Sequence, residues 1–320
     1  MKRRQNILII ILIILIFWNL PKRYVKKEML VVADFDETIT VRDTIDILAQ
    51  LPYKLHKHER DWKYFQDTYM DNYMKVINDL TKQRKLPLLD NDENISWEIK
   101  YQDGLKNIEL YSINLLQREK LFNDISLNDL KQFVINDPVC QNLIKPKFNE
   151  FLKKYLSNAS RKFEILSINW SKEFIKYMID PNDEFTFPIS CNNLQMNSSD
   201  LKWDGNFDQK IMTGSDKRRY LLDIVSKDKD IWYIGDSQTD LLSLLLPQVN
   251  GIIMMNSKTQ LDKLVTLLSG SASLNRKDYL EFLENDNIKS LLWYKKDETH
   301  GLYLVKDWNI IEKIVIPVSK

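Results

Sequence analysis

Two pairs of carboxylates, each at the end of an apolar run, are the residues best suited to chemistry. Asp34 and Asp36 follow one run, and Asp236 and Asp240 follow another run and a glycine. Side chains alternate along a strand, so each pair can face one side of a sheet at the strand end, where open α/β sheets bind ligands. Four such carboxylates repel one another unless a hard cation lies among them. The pattern therefore predicts a Mg²⁺ site and phosphoryl chemistry.

Either acid pair alone is a common sequence feature, and two further positions strengthen the prediction. Ser167 ends another short apolar run, and Lys217 opens a helical stretch about twenty residues before the second acid pair. The order of these groups resembles that of the haloacid dehalogenase (HAD) superfamily of phosphatases. The matching positions are Asp34-x-Asp36-x-Thr38, then Ser167, then Lys217, then Gly235-Asp236-x-x-x-Asp240.

The resemblance implies a catalytic role for four of these residues. Asp34 would be the nucleophile that attacks phosphorus and becomes an aspartyl phosphate. Asp36 would protonate the leaving oxygen and then activate the water that hydrolyses the intermediate. Ser167 would bind the phosphoryl group, and Lys217 would neutralise its charge and that of the nucleophile.

The resemblance also implies the cofactor and the supporting residues. Mg²⁺ would be held by Asp34, by the main-chain carbonyl of Asp36 and by Asp236. Thr38 would support the nucleophile loop, and Asp240 would orient the lysine. The expected activity is the Mg²⁺-dependent hydrolysis of a small phosphorylated metabolite.

A narrower resemblance covers patches of residues 29–316. The segments 34–49 (DFDETITVRDTIDILA), 233–246 and 300–311 are similar to the HAD domain fused to TenA-type proteins in plants, a thiamin monophosphate phosphatase. Related HAD proteins act on other small phosphomonoesters, so the substrate stays open.

More than a hundred residues separate the first motif from the second, and a loop of that length must have structure of its own. Helical spacing occurs within it, at 44–51, 59–80, 96–121 and 127–135. The expected fold is α/β, a HAD-like doubly wound parallel sheet with a Rossmann-like core and an inserted helical cap. The expected domains are an anchor at 1–24, a catalytic core at 29–42 and 160–320, and a cap at 43–159.

The N-terminal segment predicts a membrane anchor. Basic residues precede twelve uninterrupted apolar residues, 7–18. That run spans about 18 Å as a helix, less than the roughly 20 residues of a usual transmembrane helix, and no small-x-small cleavage site follows it. We expect an uncleaved signal anchor that contacts the membrane through residues 7–20; a membrane-dipping hairpin or a cleaved signal are alternatives. A glycan at the sequon 169–171 would obstruct the phosphate site, so a cytosolic catalytic domain is expected.

The net charge, the motif residues and the aromatic residues of the inserted segment bear on which functions are possible. A net charge of +1 gives no electrostatic case for nucleic acid. The alternative function is a membrane-tethered binding or assembly protein that keeps a HAD fold with little or no turnover, but the intact Asp34–Asp36 pair favours an enzyme. Trp62, Tyr69 and Tyr73 of the inserted segment are candidates to hold the leaving group, although aromatic residues at helical spacing more often pack a core.

Overall fold

The protein has an α/β architecture in a computed structural model that describes residues 27–269 and 276–316. The strands are β1 (Glu28–Ala33), β2 (Asn123–Ser126), β3 (Arg161–Leu166), β4 (Ile189–Ser190), β5 (Asn193–Met196), β6 (Lys202–Asp208), β7 (Lys229–Gly235), β8 (Val249–Met254), β9 (Ser290–Lys295) and β10 (Gly301–Val305). The helices are α1 (Ile45–Leu48), α2 (Gln50–Leu55), α3 (Trp62–Gln83), α4 (Asp92–Arg118), α5 (Leu127–Asn136), α6 (Phe148–Leu156), α7 (Lys172–Ile179), α8 (Gly214–Ile224), α9 (Leu241–Leu244), α10 (Lys258–Ser269), α11 (Arg276–Glu284) and α12 (Trp308–Val315).

Seven strands form the main sheet in the order β4-β3-β1-β7-β8-β10-β9. All neighbours are parallel except β9, which pairs antiparallel with β10. Side chains alternate between two buried faces: Val31 belongs to one apolar cluster and Val32 to the other. Burial on both faces explains why the central strands are almost continuously apolar. The predicted α/β fold with a mostly parallel sheet is confirmed.

The register of the central strands sets the position of the site. Ala33 of β1 lies opposite Ile165 of β3 and Ile234 of β7. These three strands therefore end at the same edge of the sheet. Asp34, Ser167 and Asp236 follow them at that edge.

The inserted segment contains the predicted helices. The long helices α3 and α4 pack against each other. Each begins at a side-chain cap: Asp61 accepts a hydrogen bond from the Tyr64 N–H, and Asn91 accepts one from the Asn94 N–H. The helix predictions at 59–80 and 96–121 are confirmed, with bounds shifted by a few residues.

Two features differ from the predictions. The polar, irregular sequence of 269–299 favours surface helix and loop, yet this segment includes the strand β9, and only Trp293 of its six residues is buried, so the strand has no clear apolar alternation. In addition, β2, β6 and β5 form a separate antiparallel sheet that joins the inserted segment to residues 193–208. The division into core and cap stays a prediction.

The membrane predictions need correction. Within residues 27–269 and 276–316, no helix is both long and apolar enough to cross a membrane. The longest, α3 and α4, have 22 and 27 residues and carry charged side chains along their length. On this finding the predicted transmembrane helix and the membrane-anchored location, with its cytosolic catalytic domain, are contradicted. The segment that prompted them, residues 1–24, lies outside the described residues.

Candidate active site

A buried lysine between two carboxylates lies at the centre of the site. Asp34 follows β1, and its Oδ2 lies 2.7 Å from the Nζ of Lys217 on α8. The same Nζ lies 2.8 Å from Oδ1 of Asp240. Lys217 and Asp240 are 0% exposed and Asp34 is 6% exposed, so the charges interact with little screening by water.

Asp36 is oriented by donors from two other segments. Its Oδ1 accepts hydrogen bonds from the main-chain N–H and the hydroxyl of Thr44, at 2.8 and 2.5 Å. Its Oδ2 accepts one from the side-chain amide of Asn169 at 2.9 Å. Both oxygens of this carboxylate are therefore fixed in place.

Asp236 is a buried carboxylate whose partners are all neutral. Its Oδ1 accepts a hydrogen bond from the Thr38 hydroxyl at 2.8 Å. Its Oδ2 accepts from the side-chain amides of Asn256 and Gln260, at 3.0 and 2.9 Å. No ion pair among the described residues involves Asp236. A buried charge of this kind is costly unless a cation compensates it.

Asp34, Asp236 and Asp240 form a cluster whose ligand oxygens lie within 4.8 Å of one another. Asp240 is already committed: its Oδ1 accepts hydrogen bonds from Lys217 and from the Tyr233 hydroxyl, at 2.8 and 2.6 Å. Its Oδ2 accepts three more from the main chain and hydroxyl of the turn that follows β7. Asp34 and Asp236 therefore fit a divalent cation best, while Asp240 holds the lysine.

Ser167 lies directly after β3 and is 1% exposed. Its main-chain N–H donates to the Ser190 carbonyl at 2.9 Å, which fixes the end of the strand. Its hydroxyl accepts a hydrogen bond from the Asn169 N–H at 3.1 Å. The serine lines the same cavity as Asp34 and Lys217.

The pKa shifts follow from burial and from the crowding of carboxylates. Burial raises the pKa of Asp34 to about 7, against the opposing charge of Lys217. Burial also raises the pKa of Asp36 to about 6, while its hydrogen bonds from Asn169 and Thr44 lower it. Burial and the charges of Asp240 and Asp34 raise the pKa of Asp236 well above its ordinary value. A bound cation would reverse these shifts for the carboxylates that it contacts.

Lys217 and Asp240 are both held in their charged forms. Burial alone would lower the pKa of Lys217, but the charges of Asp240 and Asp34 outweigh it and raise that pKa. Burial opposes ionisation of Asp240 as well, yet the lysine charge and several hydrogen bonds lower its pKa.

Two glycines allow the turn before α9 to pack against its neighbours. A Cβ at Gly235 would lie 2.4 Å from Cγ of Asp240. A Cβ at Gly214, the first residue of α8, would lie 2.4 Å from the carbonyl oxygen of Thr239. The close packing of this turn fixes Asp240 relative to Lys217.

Most of the candidate catalytic residues line a cavity of about 300 Å³. Its walls include all the predicted acids except Asp240, together with Ser167, Lys217 and four residues of the long helices α3 and α4: Tyr69, Gln102, Leu105 and Glu109. A second cavity of about 400 Å³ shares Asp43, Ile45, Tyr69 and Glu109 with the first. A larger open cleft of about 480 Å³ beside Lys172 and Lys176 contains none of the predicted site residues, so we assign the chemistry to the smaller cavity.

Several residues of the site were not predicted from the sequence. They hold the predicted carboxylates and come from four different parts of the chain: Thr44, Asn169, Tyr233, Asn256 and Gln260. Asn256 lies two residues beyond β8, so the rule that ligands gather at strand ends could have indicated it. The others carry no local sequence signal.

The chain is similar to proteins of known sequence over most of its length, although no family model matches it. Cold tolerance protein 1 of Saccharomyces cerevisiae is 34% identical over 318 residues, which cover 92% of this chain and 99% of that protein. A CTO1 family protein of Schizosaccharomyces pombe is 26% identical over 253 residues, 72% of this chain and 83% of that protein. The bifunctional TH2 protein of Arabidopsis thaliana is 22% identical over 270 residues, 75% of this chain and 42% of that protein.

Solved structures found to be similar include a phosphoserine phosphatase and a nucleotidase. A substrate-bound phosphoserine phosphatase has a TM-score of 0.40 and 14% identity, over 74% of this chain and 91% of that one. Cytosolic 5′-nucleotidase IIIB bound to cytidine has a TM-score of 0.49 and 13% identity, over 90% of this chain and 85% of that one. Likeness at this level does not bear on the substrate. The residues of the HAD-like motifs lie together at one edge of the sheet, and from the yeast relative the chain belongs to the cold tolerance protein 1 family.

Proposed function

We propose that this protein is a Mg²⁺-dependent phosphomonoester hydrolase that acts on a small phosphorylated metabolite through an aspartyl phosphate. The observation that carries this proposal is the placement of Asp34 in a cavity, paired with the buried Lys217 and beside the uncompensated Asp236. This arrangement combines a fixed nucleophile, the fixed positive charge of the lysine and a place where a cation can bind. The following roles are part of the proposal.

In the first half of the reaction, a carboxylate oxygen of Asp34 attacks phosphorus while the bond to the leaving oxygen breaks. Asp36 gives its proton to that oxygen, and a pKa raised to about 6 keeps part of this group protonated near neutral pH. Lys217 and the Ser167 hydroxyl bind the phosphoryl oxygens and stabilise their developing charge.

In the second half, Asp36 is a carboxylate and acts as a base. It removes a proton from water, the hydroxide attacks phosphorus, and the bond between phosphorus and the Asp34 oxygen breaks. Inorganic phosphate leaves and Asp34 is regenerated. The hydrogen bonds from Thr44 and Asn169 keep the base directed at one place throughout.

The residues present fit Mg²⁺, an ion that takes oxygen ligands. Asp34, the main-chain carbonyl of Asp36 and Asp236 would hold it. When bound, the ion supplies positive charge that offsets the charges of the phosphoryl group and of the nucleophile.

The inserted helices supply the groups that select the leaving group. Tyr69 and Glu109 line both cavities, and the Tyr69 hydroxyl donates to Glu109 Oε1 at 2.7 Å. These residues belong to α3 and α4, so the specificity groups come from the insertion and the chemical groups from the sheet.

We include α6 with the catalytic core, because it packs against β3 and α12.

A hydrolysis screen tests the proposal. The protein is assayed for phosphate release from a panel of small phosphomonoesters, once with Mg²⁺ and once with EDTA. We expect turnover of a subset of the esters with Mg²⁺ and none with EDTA. Equal rates under both conditions, or no turnover of any ester, would contradict the proposal.

A further inference from the structure

Lys145 is a half-buried lysine that contacts two loops of the active site without lining its cavity. Its Nζ donates a hydrogen bond to the main-chain carbonyl of Glu37, which lies in the nucleophile loop. The same Nζ donates to Oδ1 of Asn256 at 2.5 Å. One side chain thus joins the loop after β1 to the loop after β8.

The main chain around this lysine is fixed to the nucleophile loop. The Lys145 N–H donates to the Ile39 carbonyl at 2.8 Å. The Val41 N–H donates to the Leu143 carbonyl at the same distance, and Thr40 and Ile144 form an antiparallel bridge between them. The segment at 143–145 therefore behaves as a short strand that supports the residues following the catalytic acids.

The contacts of Lys145 close a ring around Asp236. Asn256 donates its side-chain amide to Asp236 Oδ2 at 3.0 Å. The Thr38 hydroxyl donates to Asp236 Oδ1 at 2.8 Å, and Thr38 directly follows Glu37. Starting from the lysine, the ring runs through Asn256, Asp236, Thr38 and Glu37 and returns to Nζ.

Two features show that this arrangement has a cost. Glu37 adopts a φ of +56°, in the left-handed region that a residue with a side chain occupies only when its surroundings hold it there. Burial lowers the pKa of Lys145 to about 8, in spite of the attraction of Asp236 and Glu37. A positive charge so close to Asp236 would also repel a cation bound there. For Lys145 to favour cation binding, the hydrogen bonds that it makes must therefore hold the cation ligands in position well enough to outweigh this repulsion.

We propose that Lys145 is a positioning residue for the cation site, which holds Asp236 and the nucleophile loop in the relative arrangement that a divalent ion requires. The proposal rests on the proposed function only for the identity of the ion, Mg²⁺. The lysine acts through Asn256 and through the Glu37 carbonyl, and it contacts neither substrate nor ion.

The test is the Mg²⁺ affinity of the full chain carrying Lys145→Met, measured by titration calorimetry without any ester. The methionine keeps most of the side-chain volume and removes the donor. We expect the dissociation constant for Mg²⁺ to rise by about 10- to 100-fold, the usual effect of losing a residue that orients a metal ligand. Loss of the positive charge alone would instead tighten Mg²⁺ binding. Unchanged or tighter binding would therefore overturn the proposal.

Three further variants define the effect. Lys145→Arg keeps the donors and should recover part of the affinity. Asn256→Ala breaks the ring at its other side and should weaken Mg²⁺ binding as well. If Lys145 and Asn256 act through one connection, the Mg²⁺ dissociation constant of the double variant Lys145→Met/Asn256→Ala should be little higher than that of the single variant that binds less tightly. Simple additivity of the two losses would show that the ring does not act as a unit.

The control is Lys154→Met, which removes an exposed lysine of α6 that pairs with Glu312. Its Mg²⁺ affinity should equal that of the wild type. If Lys145→Met does not fold, Asn256→Ala decides the test, and wild-type affinity in that variant overturns the proposal.

The two proposals can fail separately. In a turnover assay with p-nitrophenyl phosphate, Lys145→Met should need more Mg²⁺ for half-maximal rate and should recover most of kcat at saturating Mg²⁺. Hydrolysis by the wild type with normal Mg²⁺ binding by Lys145→Met would refute the positioning role alone. Mg²⁺ binding that depends on Lys145 in a protein that hydrolyses no ester would refute the proposed function alone.

Discussion

At the scale of single residues, Asp34 and Asp36 differ in what surrounds them, and substitution should separate their roles. Asp34→Asn should abolish turnover, because an amide cannot form the acyl phosphate and Asp240, the other carboxylate beside Lys217, does not line the cavity. Phosphate release from the best ester of the panel is the measurement. The exposed Asp278→Asn on α11 is the control and should retain the wild-type rate. Unchanged turnover in Asp34→Asn would refute the mechanism.

Asp36→Asn should be slower by about 10²–10⁴-fold, the usual contribution of general acid–base catalysis. Both oxygens of Asp36 accept hydrogen bonds, one from Thr44 and one from Asn169. The NH₂ group of an asparagine would therefore face one of these donors and lose that hydrogen bond. An ester with a good leaving group, such as p-nitrophenyl phosphate, needs less protonation and should lose less in kcat than an alkyl ester. Equal losses for the two esters would argue against Asp36 as the acid.

The candidate catalytic side chains stay a prediction, but the structure brings Asp34, Ser167, Lys217 and Asp236 together in one cavity, as their order along the sequence indicated. The side chains that orient them could not be predicted. Asn169 and Gln260 reach Asp36 and Asp236 from other elements, and only the folded chain brings them together. Residue type and spacing carry information about strand ends but very little about which side chain meets which across the sheet.

At the scale of elements, the connection between α3 and α4 contains a buried ion pair. Arg84, at the end of α3, pairs with Glu98 of α4, and their side chains are 5% and 0% exposed. The same arginine donates to the Gln238 side chain at 3.1 Å, so the pair also joins the inserted helices to the turn after β7.

Arg84→Ala should lower the free energy of unfolding by about 3–5 kcal/mol, because it leaves the buried Glu98 carboxylate without a counter-charge, with the Gln102 amide still donating to it. The adjacent Lys85→Ala is a matched control: its pair with Glu93 is solvent-exposed, so water screens it and its loss should change the stability little. Urea denaturation of both variants measures the difference. Similar midpoints for the two variants would show that the buried pair is not a major stabilising contact.

The same two helices present aromatic residues to the cavities. Tyr69 lines both cavities and Trp62 lines only the second, whereas Tyr73 lines neither and stacks on Tyr69 at 6.2 Å. The sequence offered all three as candidates, and the structure favours Tyr69.

Tyr69→Ala should raise KM for the best ester of the panel and should change KM for p-nitrophenyl phosphate much less. The generic ester has little that a tailored pocket could hold. Tyr111→Ala, an exposed aromatic residue of α4, is the control and should affect neither ester. Equal changes for both esters in Tyr69→Ala would indicate that the ring only packs the helices.

At the scale of the whole molecule, the crowded carboxylates make stability depend on pH and on the cation. Asp34 and Asp36 hold protons in the folded protein up to about pH 7 and 6, whereas carboxyls of the unfolded chain lose theirs near pH 4. Between these values the folded state binds more protons, so the free energy of unfolding contributed by these groups falls as pH rises from about 4 to about 7.

Mg²⁺ should therefore raise the melting temperature more at pH 7.5 than at pH 5, because the ion replaces the lost protons in compensating the carboxylates. Melting curves with EDTA and with Mg²⁺ at both pH values give the two increments. Asp236→Asn should remove most of the increment at pH 7.5. A larger increment at pH 5 would have the wrong sign for this explanation.

The mostly parallel α/β sheet and the long helices α3 and α4 follow from patterns that extend over many residues, which is why they could be predicted. The short strands could not: β2 and β9 bury few side chains and so lack a clear alternation. The long apolar run at 7–18 was interpreted as an anchor on its composition alone, and the helices of the described chain gave no support to a membrane span.

The close packing of Gly214 and Gly235 has a consequence for how this protein can vary. Every replacement of glycine adds at least one carbon, and at both positions that carbon would lie 2.4 Å from an atom of the segment 239–240. In a saturation library selected for activity, almost all surviving variants should keep glycine at these two positions. Exposed residues of the same elements, such as Leu222 on α8, should accept most alternatives. The positions that tolerate the fewest substitutions should therefore include these two glycines, which have no side chain.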